Sequence, residues 1–187
     1  MEKDRQDDAA LNYKAYLNGD DEGLRRLINE YYDGLTLFLC TITRNMPDAE
    51  EMAEQTFVRL AVKKPEYKGI SSFRTWLYAI GRNITLDSER KKRRHMIRIS
   101  DDETELRDTE TDIEEDYINY EKNRALYRSV QKLEPRMRQV TWLFYFENMS
   151  YEEIAGITGN TKGAVAQLLL RARNKLREMM EKEGYKE

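Results

Sequence analysis

The sequence predicts an all-α protein, with two small helical domains joined by an acidic, flexible linker. Three observations carry that expectation. Apolar residues recur at three- and four-residue spacing along most of the chain, as in helices with one buried face. Strand-like alternation is nearly absent, and only three prolines interrupt 187 residues. Charge falls in blocks: residues 1–89 balance at −4, 90–98 at +6, 101–116 at −9 and 119–187 at +4, within a net charge of −3. The acidic block, "SDDETELRDTETDIEED", has almost no large apolar group and cannot bury enough surface to order itself. It divides the chain into a domain over 1–95, a linker over 96–117 and a domain over 118–187.

The first expected helix runs from Asp20 to Arg44, with Leu24, Leu27, Ile28, Tyr31, Leu35, Phe38, Leu39 and Ile42 on one face. Cys40, the single cysteine, lies in the apolar run "LTLFLCTI" and reads as a small buried hydrophobe. "RNMP" ends this helix. Asp48 then stands as an N-cap with Glu51 three residues on, a capping box opening a helix over 49–63. Pro65 and Gly69 make "KKPEYKGIS" a loop, and a helix restarts near Ser71 or Ser72 to carry "FRTWLYAIGRNITLDSERKKRR". Beyond the linker, helices are expected at 118–133, 135–147, 151–157 and 161–182.

The stretch 150–173, "SYEEIAGITGNTKGAVAQLLLRAR", has the form of a helix-turn-helix. Ser150 and Glu153 make a capping box. Small Ala155, Gly159 four residues on and β-branched Val165 ten residues on fit two helices that cross closely around a turn of positive φ. Ile154 and Leu168 complete the apolar set. In the second helix Val165, Leu169, Ala172, Leu176 and Met179/Met180 form the buried stripe, and Lys162, Gly163, Gln167, Leu170, Arg171 and Asn174 face away. A helix N-terminus carrying Lys162, followed by Arg171, suits phosphate. Only Gln167 is placed to hydrogen-bond a base edge.

Other function classes find no support. The one histidine, His95, stands among bases, with no cysteine or carboxylate cluster at metal-ligand spacing and no Gly-rich phosphate loop. No enzyme, metal or cofactor is therefore expected, nor a small-molecule substrate. No apolar run approaches the roughly 18 residues of a membrane span, so no direct membrane insertion is expected. "MEKDRQDDAALNYK" lacks the apolar core of a secretory signal. The expected location is cytoplasmic.

Together these segments resemble the extracytoplasmic-function (ECF) sigma factors, the smallest members of the sigma-70 family, over roughly 16–94 and 119–182. "MSYEEIAGITGNTKGAVAQLLLRARNKLRE" resembles the fourth conserved region, which reads the −35 promoter element. "DAEEMAEQTFVRL" resembles the helix that docks on the clamp coiled coil of RNA polymerase, and "SFRTWLYAIGRNITLDSERKKRR" the segment that opens and reads the −10 element. The resemblance implies a subunit that binds core RNA polymerase, through clamp coiled coil and flap, and directs initiation at the promoters of one regulon. It also implies an anti-sigma factor as partner. The alternative is a stand-alone helix-turn-helix regulator, which leaves the aromatic and basic helix of the first domain unexplained.

Carried over by position, Asp48, Glu50, Glu51, Glu54 and Gln55 would face the polymerase, with Met52 and Phe57 at the edge or inside. Tyr67, Lys68, Phe73, Trp76, Arg82, Asn83, Arg90, Lys91 and Arg93 would serve the −10 element, the loop 65–72 capturing a flipped base. Trp76 reads either as a DNA contact or as a core residue that fixes the loop. Thr161, Lys162, Gly163, Ala164, Gln167, Leu170 and Arg171 would serve the −35 element. The acidic linker resembles the segment that imitates RNA in the polymerase cleft. The chain departs from the family pattern at Glu54-Gln55, where "QE" is common, and at Phe144, a position often basic. It also departs at Ala164, Ala166, Gln167 and Leu168, where relatives carry more polar and basic groups, so no promoter sequence transfers from a relative.

Overall fold

Two helices and the close crossing between them start the first unit. The computed structural model describes the backbone of residues 2–99 and 128–182, with the side chains of 8–95 and 128–182. The helices with both ends described are α1 (Glu2–Leu17), α2 (Asp21–Thr43), α3 (Met46–Lys63), α4 (Phe73–Ile99), α5 (Pro135–Tyr145), α6 (Tyr151–Thr158) and α7 (Lys162–Lys182). Among the described residues there is no strand. The chain divides into two compact units, α1–α4 in one and α5–α7 in the other. Most of the stretch read as a linker, and most of the helix expected over 118–133, lie outside the described residues. The described end of the latter is helical at 128–131.

Helix α1 is an addition to the expected elements. Its Ala9, Tyr13 and Tyr16 recur at helical spacing and are buried, but charged and amide neighbours mask that pattern in the sequence. Gly23 lets the helix approach α2: a Cβ there would fall 2.3 Å from the carbonyl oxygen of Asn12. Arg26 Nε donates to Asn12 Oδ1 at 2.9 Å across the same contact.

Helix α2 follows expectation. Asp20 caps it by accepting from the Glu22 N–H at 3.1 Å, and Leu27, Leu35, Phe38, Leu39 and Cys40 are buried. Helix α3 begins earlier than expected. Asn45, rather than Asp48, is its N-cap, accepting from the Asp48 N–H at 3.0 Å, so the proposed Asp48–Glu51 capping box does not form. The physical reason is Pro47: in a first turn its missing N–H costs nothing and its fixed φ suits the helix, so it starts the element instead of ending one. Helix α4 opens under Ser72, whose Oγ accepts from the Thr75 N–H at 3.2 Å. Its Gly81 passes α2 and α3 so closely that a Cβ would lie 3.0 Å from Leu35 Cδ1 and 3.2 Å from Thr56 Oγ1.

In the second unit, Pro135 starts α5. Val130, Leu133, Met137, Ala172 and Leu176 form one cluster, with Leu168 and Met179 packed against it. The Arg138 side chain is buried and donates to the Gln131 carbonyl at 2.7 Å.

If the α1–α2 approach is as tight as Gly23 indicates, Gly23→Ala should destabilise the full chain by about 1–3 kcal/mol, because backbone must move. Gly163→Ala, with nothing near its Cβ, should be neutral or gain up to ~1 kcal/mol in helix propensity. Denaturant unfolding of both variants checks this; equal midpoints would refute the packing account.

Candidate polymerase and nucleic-acid interfaces

The loop 64–72 hangs between α3 and α4 over an aromatic cluster. Phe73 is fully buried, its ring 5.4 Å from Tyr13, 6.2 Å from Tyr31, 5.5 Å from Tyr67 and 5.3 Å from Trp76. Phe73 was expected on the −10 surface; with no accessible face it offers nothing to a partner and instead supports the half-buried rings of Tyr67 and Trp76. Trp76 is half-buried, braced by Tyr13 at 5.4 Å and Tyr67 at 5.3 Å. The half-buried Tyr67 donates its hydroxyl to the Ser71 carbonyl at 2.5 Å, closing the loop on itself. Lys68 is exposed, and Ile70, at 90% exposure, stands at the loop tip. Burial, and then the neighbouring Tyr16, push the Tyr13 hydroxyl up to about 12, so it stays a neutral donor at physiological pH.

Farther along α4, Arg82 is half-buried and Asn83 exposed, and the run from Arg90 to Arg94 is exposed throughout. Part of this charge is already engaged. Arg90 pairs with Asp87 at 3.3 Å, and Lys92 bonds Asp48 at 2.8 Å. Burial opposes the Lys92 charge, but the Asp48 hydrogen bond with the Asp48, Glu89 and Glu51 charges outweighs it, and its pKa is raised. Asp48 thus ties the first turn of α3 to the basic end of α4. Glu50, Glu51, Glu54 and Gln55 all lie exposed on α3, while Met52 and Phe57 are buried beneath them. Gln55 Nε2 donates to Glu51 Oε1 at 2.9 Å. Burial, then Glu54, Glu50 and Asp33, raise the pKa of Tyr32, which stacks on Phe57 at 6.3 Å between ring centres.

The second unit holds the helix-turn-helix. Ser150 and Glu153 form the reciprocal capping box, the Glu153 N–H donating to Ser150 Oγ at 3.3 Å and the Ser150 N–H to Glu153 Oε2 at 2.9 Å. Gly159 ends α6 at φ 70°, a left-handed turn that glycine adopts without Cβ strain. Thr161 starts α7 by accepting from the Ala164 N–H at 3.2 Å. Ile154, Val165, Leu169, Ala172 and Leu176 are buried. Thr161, Lys162, Gly163, Gln167, Leu170 and Arg171 are exposed, and Ala164 is half-buried. The Lys162 ammonium bonds the Glu152 carboxylate across the turn, and this hydrogen bond lowers the Glu152 pKa. Arg173 donates to the Tyr145 hydroxyl at 2.7 Å and lies 5.8 Å from the Phe144 and Tyr145 rings.

Each unit matches a known module. The family model described as sigma-70 region 2 matches residues 27–95, and that described as sigma-70, region 4 matches residues 123–176. Over 162 residues, 86% of this chain and 94% of the relative, the sequence is 30% identical to RNA polymerase sigma factor YlaC of Bacillus subtilis (strain 168). The chain is an ECF sigma factor of the sigma-70 family. It is also 26% identical over 179 residues to the ECF RNA polymerase sigma factor SigW of the same organism, covering 89% of this chain and 94% of the relative. Among solved structures, the sigma factor RpoE of Bartonella quintana, crystallised with the anti-sigma factor NepR, shares the fold. Its TM-score is 0.64 at 21% identity, over 84% of this chain and 96% of that one. CnrH, solved with the cytosolic domain of CnrY, gives 0.63 at 21% identity, over 94% and 96%.

As a sigma factor the protein binds core RNA polymerase and promoter DNA and directs promoter-specific transcription initiation. Sigma factors regulate; they do not catalyse. None of the helices among the described residues is long and apolar enough to cross a membrane. Sequence reasoning missed Tyr13 and Tyr16, whose spacing with Ala9 was the available signal, and Ile70, whose exposure no sequence pattern announces. Phe73→Ala in this sigma factor should cost about 3–5 kcal/mol of stability, as for a fully buried ring. Arg90→Ala, Lys91→Ala and Arg93→Ala should each stay within about 0.5 kcal/mol. Thermal unfolding separates the two classes, and a neutral Phe73→Ala would contradict its supporting role.

Proposed function

We propose that the first unit holds polymerase on α3 and the −10 element on the loop 64–72 and α4, while the second unit holds the −35 element on α7. The carrying observation is α4 itself, with an aromatic-braced loop at its start and an exposed basic run, Arg90 to Arg94, at its end. Holding an unpaired strand requires cations along a backbone path and apolar or aromatic groups for an unstacked base. Tyr67, Trp76 and Ile70 supply the second need; Lys68, Arg90, Lys91 and Arg93 supply the first, with Asn83 as an uncharged hydrogen-bonding neighbour. Arg82, half-buried, lies between them.

On α3, Glu50, Glu51, Glu54 and Gln55 form the polymerase-facing surface. Asp48 contributes less to it directly, because its carboxylate already holds Lys92. On α7, Gln167 is the base reader and Lys162 and Arg171 serve phosphates. Thr161 acts through capping, and Gly163, Ala164 and Leu170 offer backbone and close apolar contact. Phosphate has to take Lys162 from Glu152, so this contact adds less than a free lysine would. Each DNA surface is weak alone, and polymerase joins them so that each raises the effective concentration of the other. The acidic stretch 96–117 would pass toward the RNA path of the polymerase. An anti-sigma factor covering the DNA surfaces in the cytoplasm fits the company kept by RpoE and CnrH in their solved complexes.

Transcription in vitro over a genomic library tests the reading. The full chain with core polymerase should start transcripts at a discrete promoter set, and initiation no greater than with core alone would defeat it. Lysine at Glu50, Glu51 and Glu54 together should abolish co-purification with polymerase while leaving the fold intact; retained binding would remove α3 from the interface. On α7, Gln167→Ala should change −35 preference by about 1–3 kcal/mol between base variants, whereas Lys162→Ala weakens all promoters alike. Parallel losses across −35 variants in both mutants would refute that division.

A further inference from the structure

Helix α1 lies before residue 27, where the sigma-70 region 2 match begins, yet two of its side chains reach the junction where α3 gives way to the loop read as the −10 site. Tyr13 donates its hydroxyl to the carbonyl of Pro65 at 2.8 Å, and Tyr16 donates to the carbonyl of Ala61 at 2.9 Å. Those acceptors bracket Lys64, the residue that ends α3 in the left-handed region at φ 43°. A non-glycine residue holds that conformation only where its surroundings impose it. The Lys64 N–H returns to the Leu60 carbonyl at 3.2 Å. The next carbonyl, Ala61, is one of the last-turn acceptors that a helix leaves unpaired, and the Tyr16 hydroxyl fills it. The Lys64 ammonium lies 4.8 Å from the Tyr16 ring centre. On the far side of the turn, the Tyr13 ring packs on Phe73 and Trp76. The start of the loop is therefore fixed from outside, by α1, at backbone and side chain together.

We propose that Tyr13 and Tyr16 are positioning residues for promoter opening: their hydroxyls, bonded on either side of Lys64, hold the 64–72 loop in the shape that receives an unpaired −10 base. This rests on the reading of that loop as the −10 site. The brace is built from one element and the loop from another, so it sets the loop's shape without adding a group that touches DNA. Removing the hydroxyls keeps both rings, and with them the aromatic cluster, while freeing the turn.

The test uses the full-length Tyr13→Phe/Tyr16→Phe variant with core polymerase on duplex promoters. Permanganate reactivity of −10 thymines reports opening, and single-base changes are made in either element. Losing two neutral hydrogen bonds should lower opening roughly tenfold, and the penalty for a wrong −10 base should shrink while the penalty for a wrong −35 base stays. Binding to core polymerase should match that of the wild type. A variant that opens all promoters as the wild type does would overturn the proposal. So would a uniform loss that leaves both penalties unchanged, because simple destabilisation lowers every promoter alike. A parallel Tyr67→Ala/Ile70→Ala variant separates the two levels. If it opens promoters normally, the loop is not the −10 site and the brace falls with it. If it fails to open them while the double phenylalanine variant succeeds, the loop reading stands and the brace alone is wrong.

Discussion

The burial of Phe73 at the start of α4 is the contact on which the first unit's surface depends. Its ring has no access to water, and Tyr13, Tyr31, Tyr67 and Trp76 close around it. Those four residues come from α1, α2, the loop and α4, so one ring joins four segments of the first unit around the 64–72 loop. Aromatic pairs at 5–6 Å add to the area they bury, and their fixed geometry leaves Trp76 and Tyr67 half-exposed. The 64–72 loop is thereby held from beneath while its tip stays open to solvent.

Charge in the same unit is organised by a second tie. Asp48 on α3 holds Lys92 on α4 at 2.8 Å, so the acidic face and the basic run are neighbours linked by an ion pair. The second unit uses the same economy on a smaller scale. Its capping box and left-handed Gly159 set the angle between α6 and α7, and the Glu152–Lys162 pair spans the turn.

Much of the fold was legible in sequence. The 3.6-residue periodicity of α2, the Ser150–Glu153 box, the Gly159 turn and the buried stripe of α7 each follow from local chemistry that operates within a few residues. The N-cap of α3 was misplaced because "NMP" reads both as a helix stop and as a helix start, and only the backbone geometry around Pro47 distinguishes them. Helix α1 was hidden by its charged and amide residues, between which Ala9, Tyr13 and Tyr16 give only a weak period. Phe73 and Trp76 belong to one aromatic run, and nothing in that run says which ring turns inward.

The sequence by itself determined the helical class, the order of the two modules, the blocks of charge and the helix-turn-helix. All of these depend on residue type and short spacing. Tertiary structure alone decided which aromatic is support and which is surface, that Asp48 and Lys162 already have partners, and that two tyrosines of α1 reach Ala61 and Pro65. The physical reason is separation along the chain. The Tyr13 and Tyr16 hydroxyls find acceptors 52 and 45 residues away, and only the packing of α1 against α2, permitted by Gly23, brings them together.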